Sequence, residues 1–374
     1  MKSAYLLTAL AALLTGAVVN VSGQGTSGTA IGTAVSEGKK LFEQETFSGN
    51  GRTCRTCHSV QTGTVSPEDA QQRFKTHPDD PLFRADGSDD GAGNGTTRIQ
   101  RDATIMMHIT LNARVQMGDH SAIMNVPRGI PTTLNSPALD PVIMLDGRQL
   151  TLQSQANGAI LDHAQGVAPS AAQLDRIKAF ELTNEFFTSP EMINLARAGT
   201  DPGLPPGSTA SEKRGRRFFE DEIDFVDPKH GLCAGCHAGP LLNETNLFAQ
   251  IVFGVPKGTR FQNIGVSFFN DAKLPLQEFV FDKNTANELH VFSPDIGRSG
   301  VTGVPPTEDF TFANFEAFKI PQLRGVKDTA PYFHDNSAKT LEDVMNHYAR
   351  FFFPFIVLTD QDKADMVAYM KLLR

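Results

Sequence analysis

The sequence predicts a mainly α protein made of two similar domains packed around an interdomain interface. Three observations lead there. Apolar residues recur at helical spacing while alternating strand patterns are scarce, a proline-rich break interrupts the middle of the chain, and a short pattern occurs once on each side of that break.

The elements follow in chain order. Lys2 gives a positive start, Ala4 to Val19 is an almost uninterrupted apolar run, and Ser22-Gly23-Gln24 is a small-residue cleavage neighbourhood. Residues 1–23 therefore read as a secretory signal peptide, with an uncleaved N-terminal anchor as the alternative. No later segment could span a bilayer; the apolar stretch from Phe351 to Leu358 is short and contains Pro354. The mature chain is thus expected to be exported, periplasmic and without a membrane span. Residues 24–35 are rich in Gly, Ser and Thr and read as a flexible lead-in. The first domain is expected over 36–200. In it Ala171 to Phe187 carries helical spacing at Leu174, Ile177, Phe180 and Leu182, with Ser170 as N-cap. Asp86 to Asn94 looks superficially like a calcium loop, but its closing position is Thr97 rather than Glu, so it reads as a surface loop. Residues 201–210, with Pro202, Pro205, Pro206, Gly203 and Gly207, form the linker. The second domain, 211–374, ends in two helices capped by Thr340 and Thr359.

Around the break the repeated pattern is Gly38-Lys39-Lys40-Leu41-Phe42-Glu43 and Gly215-Arg216-Arg217-Phe218-Phe219-Glu220. Each is followed, a little over ten residues later, by Cys-x-x-Cys-His: Cys54, Cys57 and His58, then Cys233, Cys236 and His237. These are the chain's only 4 cysteines. In c-type attachment two thiols add to the two vinyl groups of a haem, and the adjoining His lies under the ring as an iron ligand. A zinc site would need its second Cys/His pair nearby, a thioredoxin-like site needs a βαβ context, and two local disulfides would leave both histidines unexplained. Two covalently bound haem c groups are expected. The net charge of −8 and the lack of a basic face argue against nucleic acid as a partner.

With these residues in place, the chain resembles the bacterial di-haem cytochrome c peroxidase family, including its MauG-type branch. The resemblance runs from Gly38 to the C-terminus. It rests on Ser48-Gly49-Asn50-Gly51, Pro131-Thr132-Thr133-Leu134-Asn135, Asp146-Gly147-Arg148, Cys236-His237-Ala238-Gly239-Pro240, Asp295-Ile296-Gly297-Arg298 and Thr329-Ala330-Pro331-Tyr332-Phe333-His334-Asp335. The resemblance implies two c-type cytochrome-like haem domains, with His58 proximal at a peroxide-binding N-terminal haem and His237 at an electron-transfer C-terminal haem. It implies Tyr348 as the second axial ligand of the latter, as in the MauG-type branch. Met345 and His347 compete for that role. His120 falls near the family's removable distal His and is the candidate sixth ligand of the first haem; a surface His is the alternative. The family's distal Glu aligns without gaps onto Gln165, beside a kept Gln155; an amide cannot take a proton, and His163 or Asp162 could substitute. The family's inter-haem Trp aligns with Leu145. One calcium ion is implied at Asn135, Thr329 and Pro331.

The expected function is a periplasmic oxidoreductase that reduces hydrogen peroxide with electrons from a small cytochrome c or cupredoxin. The alternatives are MauG-like peroxide-dependent oxidation of a partner protein, and a two-haem electron carrier without substrate chemistry.

Overall fold

The structure, a computed structural model, describes residues 27–374 apart from 223 and 225; the signal peptide expected over 1–23 lies outside the described residues. In the first half the order is α1 (Ser27–Glu43), α2 (Cys54–Cys57), α3 (Pro67–Thr76), α4 (Thr97–Asp102), β1 (Thr104–Thr110), β2 (Val115–Met117), β3 (Ile123–Gly129), α5 (Leu152–Asp162), α6 (Ala171–Glu181) and α7 (Pro190–Ala198). The second half continues with α8 (Ala210–Arg216), α9 (Leu247–Phe253), β4 (Phe261–Gln262), α10 (Val266–Phe269), β5 (Gln277–Phe281), β6 (Leu289–Ser293), α11 (Ser299–Thr302), β7 (Phe318–Lys319), α12 (Leu341–Phe352) and α13 (Asp360–Met370).

A helix carries the first Cys-x-x-Cys pair and turns carry the second, and the mainly α expectation understates the sheet. β1 pairs antiparallel with β3 from Thr104↔Gly129 to Thr110↔Ile123, and β2–β5–β6 form a second antiparallel sheet. In β1, Ile105, Met107 and Ile109 point into the core while His108 and Thr110 are exposed. Met106 on the outward face fills the polar slot that would have marked the alternation, so the strand is hard to see in the sequence. The expected flexible lead-in is also corrected. Its residues 27–35 are helical, because Val35, Gly38 and Phe42, three and four apart, form one face of α1 against α6.

In both halves the first helix crosses a later one, α6 or α13, at a glycine. A Cβ at Gly38 would run into the Arg176 carbonyl and lie 3.0 Å from Phe180 Cβ; one at Gly215 would meet the Asp365 carbonyl and lie 2.8 Å from Tyr369 Cβ. Only glycine lets these backbones approach so closely. Phe42, Ile160, Ile177, Phe180 and Phe186 fill the first crossing; Phe219, Met345, Met366 and Tyr369 fill the second.

Two groups of contacts stand out among those that tie the halves together. β2 of the first half pairs with β5 of the second, and Ile105, Met107 and Ile109 share a core with Phe279, Phe281 and Ile296. Nearby, Arg128 grips Asp295 from Nε at 2.7 Å and Nη2 at 2.8 Å, and reaches Asp146 from Nη1 at 2.6 Å. All three residues are buried. Burial works against the Arg128 charge, yet the two carboxylates outweigh it and hold the guanidinium above its usual range. Stripping one partner from such a buried charge typically costs about 3–5 kcal/mol.

Candidate haem sites

The first Cys-x-x-Cys pair forms the single turn of α2, and His58 is its C-cap. That turn directs Cys54, Cys57 and His58 into one cavity of about 1380 Å³, open to solvent. His58 Nδ1 lies 2.8 Å from the Gly63 carbonyl, which makes Nδ1–H the donor and leaves Nε2 as the metal-binding nitrogen. Burial lowers the His58 pKa to about 4 against the pull of Gly63, so the ring is neutral, as a ligand must be. Neither thiol is in a disulfide. Burial pushes Cys54 up to about 12 and raises Cys57 as well, so both stay protonated. The cavity wall is largely apolar, with Ile105, Met107, Ile130, Ile143, Met144 and Leu145. Unpaired thiols, a neutral imidazole and an apolar slot fit a covalently held haem.

The second site repeats this arrangement. His237 Nδ1 lies 2.8 Å from the Leu242 carbonyl, again five residues on, and burial lowers its pKa to about 4. Cys233 and Cys236 are free, and burial raises both thiols, Cys236 to about 11. Tyr348 sits beside this pair. Burial raises its phenol pKa, and the Cys236 and Cys233 sulfurs add to the effect. Of its two competitors, His347 is engaged elsewhere, Nε2 bonding the Ile264 carbonyl at 2.8 Å, while Met345 packs in the same apolar cluster as Tyr348 and Cys233.

On the first cavity, α5 presents Gln155, Ala156, Ala159, Ile160 and, at its C-cap, His163. His163 Nδ1 is 2.5 Å from Asp86 Oδ2. Asp86, 3% exposed, also pairs with Arg52, whose other donors are taken by the Pro81, Leu82, Arg84 and His163 carbonyls. Burial alone would raise the Asp86 carboxyl; His163 and Arg52 outweigh it and hold it below the usual carboxylate range. The ring thus has Nδ1–H fixed on an anion and Nε2 available as a base.

Of the sequence-derived candidates, Gln155 and His163 line the cavity together with His58, Cys54 and Cys57. Gln165 does not. It is exposed, at φ 51, and accepts a bond from Asn50 Nδ2 at 3.4 Å. The gapless alignment placed it two residues past His163, beyond the end of α5. His120 is exposed on the turn between β2 and β3, 3.1 Å from Gln116 Nε2, and is not among the cavity residues. Asn135 is buried at φ 59 and joins the two halves by donating to the Arg324 carbonyl at 2.9 Å. Its oxygen accepts two long bonds from Thr188, at 3.3 and 3.4 Å. Thr329 and Pro331 follow and flank the cis Ala330-Pro331 bond. An amide oxygen and two backbone carbonyls are neutral oxygens of the kind calcium takes.

Sequence reasoning missed Asp86 and Arg52, since a loop aspartate in a Gly/Asp-rich stretch carries no periodic signal. It also missed Glu181, at the end of α6. Glu181 lines the same cavity at 4% exposure, its Oε2 has no hydrogen-bond partner, and burial raises its pKa to about 8.

Comparison with known proteins agrees with this geometry. Residues 33–189 match the family model for di-haem cytochrome c peroxidase. Cytochrome c551 peroxidase of Nitrosomonas europaea is 27% identical over 238 residues, covering 60% of this chain and 59% of that protein. Cytochrome c peroxidase of Escherichia coli K12 is 25% identical over 269 residues, covering 66% of this chain and 48% of that protein. This chain thus spans about half to three-fifths of the length of these curated relatives. Among solved structures, a MauG-like protein associated with microbial copper homeostasis superposes at a TM-score of 0.48 and 19% identity, over 91% of this chain and 88% of that one. The matched segment carries the first thiol pair, His58 and the His163 wall, and over it the chain is similar to the di-haem cytochrome c peroxidases.

Proposed function

We propose that the protein is a di-haem c-type oxidoreductase that reduces hydrogen peroxide in the periplasm, with electrons from a small cytochrome c or cupredoxin. Its haem domains are 36–200 and 211–374, joined by the 201–210 linker. The observation that carries this reading is the His163–Asp86 pair on the cavity that also holds His58, Cys54 and Cys57. Haem attached there supplies the redox-active iron. Cleaving an O–O bond requires a proton to be moved from one oxygen to the other, and a positioned base contributes about 10²–10⁴-fold to such a step. His163 Nε2 takes that proton and returns it. Asp86 fixes the ring's tautomer and Arg52 fixes Asp86. Gln155 offers an amide to orient the bound oxidant, on a wall that is otherwise largely apolar.

At the second site Tyr348 would hold the haem iron together with His237, a role supported by its nearness to Cys233 and Cys236. This feature favours the second reading, oxidation of a partner protein as in the MauG branch. A calcium ion at Asn135, Thr329 and Pro331 is proposed for the seam between the halves, supported by the weakly engaged Asn135 oxygen. Among the described residues no helix is long and apolar enough to cross a membrane.

The test is the absorption spectrum of the two-haem protein mixed rapidly with peroxide, in the ferric state and after partial reduction. A fast change at one haem is expected. A protein that is red yet indifferent to peroxide in every oxidation state is only an electron carrier.

A further inference from the structure

The two halves correspond residue by residue well beyond the Cys-x-x-Cys-His motifs. Before α5 the chain makes an isolated antiparallel bridge, Ile143↔Gln149, with Met144 at φ 69 and Gly147 at φ 73. Before α12 it makes the same bridge, Tyr332↔Ala338, with Phe333 at φ 69 and Asn336 at φ 57. Each helix then starts at a threonine in a capping box, Thr151 with Ser154 and Thr340 with Asp343. The next helix in each half packs on the first, at Arg176 and Phe180 against Gly38, and at Asp365 and Tyr369 against Gly215. One constant sequence offset relates all of these pairs except Gly38 and Gly215, which lie closer together in the sequence. It also pairs Ala159 with Tyr348, and His163 with Phe352.

We propose that Ala159 is the residue that keeps the N-terminal haem iron open, occupying the place from which Tyr348 closes the C-terminal one. The inference rests on the haem reading above. Tyr348 stands beside Cys233 and Cys236, and its ring stacks on Phe352 at 5.9 Å. In the first half the same two helix positions are a methyl group and an imidazole, both on the cavity that contains His58. A methyl cannot ligate, and Ala159 leaves cavity space at the position from which Tyr348 would reach. His163, one turn further along, faces that space in place of an inert phenyl. One helix frame therefore yields a closed iron or an open one with a base beside it, according to two side chains. Ala159 is a specificity-determining residue here and takes no part in proton transfer.

The experiment uses the full two-haem protein and its variants Ala159→His and Tyr348→Ala. The readouts are low-temperature electron spin resonance of the ferric state and carbon monoxide binding to the ferrous state. For the unaltered protein one high-spin and one low-spin haem are expected, with one carbon monoxide bound per chain. Ala159→His is expected to convert the high-spin signal to low-spin and weaken carbon monoxide binding at least tenfold. Tyr348→Ala is expected to give two high-spin signals and two bound carbon monoxide molecules. An unchanged high-spin signal in Ala159→His carrying two haems overturns the proposal. If that variant fails to load haem, Tyr348→Ala decides, and a carbon monoxide count that stays at one overturns it. A colourless unaltered protein would instead refute the haem reading itself.

Discussion

The two halves of the molecule bind their motif histidines in the same way and then diverge on the opposite wall. His58 and His237 each donate Nδ1–H to a carbonyl five residues on, at 2.8 Å in both. Across from them, the second half has Tyr348, Phe352 and Met370, all in or against its apolar core. The first half has Ala159, His163 and Glu181 at the corresponding positions, all lining a cavity. The thiol and histidine arrangement is therefore common to both halves, and on the proposed function the difference between an electron-transfer haem and a substrate-binding one would reside in three side chains on two helices. Each of the three exchanges a packed, chemically inert or ligating group for space, a base or an unpartnered acid.

The largest test of the comparison removes one half's thiols at a time. Cys54→Ala with Cys57→Ala, and Cys233→Ala with Cys236→Ala, should each cut covalent haem from two per chain to one, measured by the alkaline pyridine spectrum after denaturation. The first pair should abolish the reaction with peroxide, and the second should leave single-turnover binding while ending multiple turnover. If both pairs behave alike, the halves are not functionally distinct.

Next in size is the cavity base. His163→Gln should slow the peroxide reaction by about 10²–10⁴-fold, the range for loss of a general base. Asp86→Asn should slow it in the same direction, because an amide no longer fixes the Nδ1–H tautomer. The counterpart change, Phe352→His, should leave the rate unaltered while Tyr348 closes the second site. Stopped-flow rates over a pH series separate these cases.

Glu181 sharpens the contrast through pH. Its folded-state pKa, about 8, is raised from 4.5 by burial. Between those values the folded chain keeps a proton that the unfolded chain has released, so stability falls as pH rises through this window and levels off above about 8. Glu181→Gln should abolish that decline, a gain on the order of a few kcal/mol at pH 9 relative to pH 5 in urea melts. Met370, the counterpart, carries no charge, so Met370→Leu should leave the pH profile unchanged. A wild-type profile with no fall between pH 5 and pH 8 would mean that the carboxyl finds a partner.

The helix crossings offer a smaller, symmetric effect. Gly38→Ala and Gly215→Ala each drive a methyl into a facing carbonyl. Each should cost about 1–3 kcal/mol, the usual penalty for overpacking, by denaturant midpoint. Unequal costs would show that one crossing can relax where the other cannot.

How much of this was legible depended on whether chemistry or packing wrote the signal. The Cys-x-x-Cys-His pairs, the caps Ser170, Thr340 and Thr359, and the repeated Gly-x-x-x-Phe face are local patterns, and the chain folds there as its sequence suggests. β1 was masked by Met106, and Asp86 was hidden in a loop whose composition suggests exposure although the residue is buried. The correspondence of Ala159 with Tyr348 was invisible because a duplicated frame conserves backbone turns and caps rather than side chains. Only φ values, bridges and helix contacts reveal it.

Gln165 gives the smallest expected effect and a pointed test of how far an alignment can be trusted at a helix end. A gapless count puts the family's distal acid at this position, two residues past His163. The helix, however, ends at Asp162, and the backbone at Gln165 turns to φ 51, so the side chain leaves the cavity face and bonds Asn50. Gln165→Glu should therefore shift stability by no more than about 0.5 kcal/mol, as exposed substitutions do, and leave the peroxide reaction of the unaltered protein unchanged. In a His163→Gln background it should fail to restore the rate, because a carboxylate outside the cavity cannot reach the proton that Nε2 handles. Recovery of activity in that double variant would mean that the 163–166 turn reorganises when haem is bound and that the acid belongs where the count placed it. His163 would then be a second-best base rather than the working one.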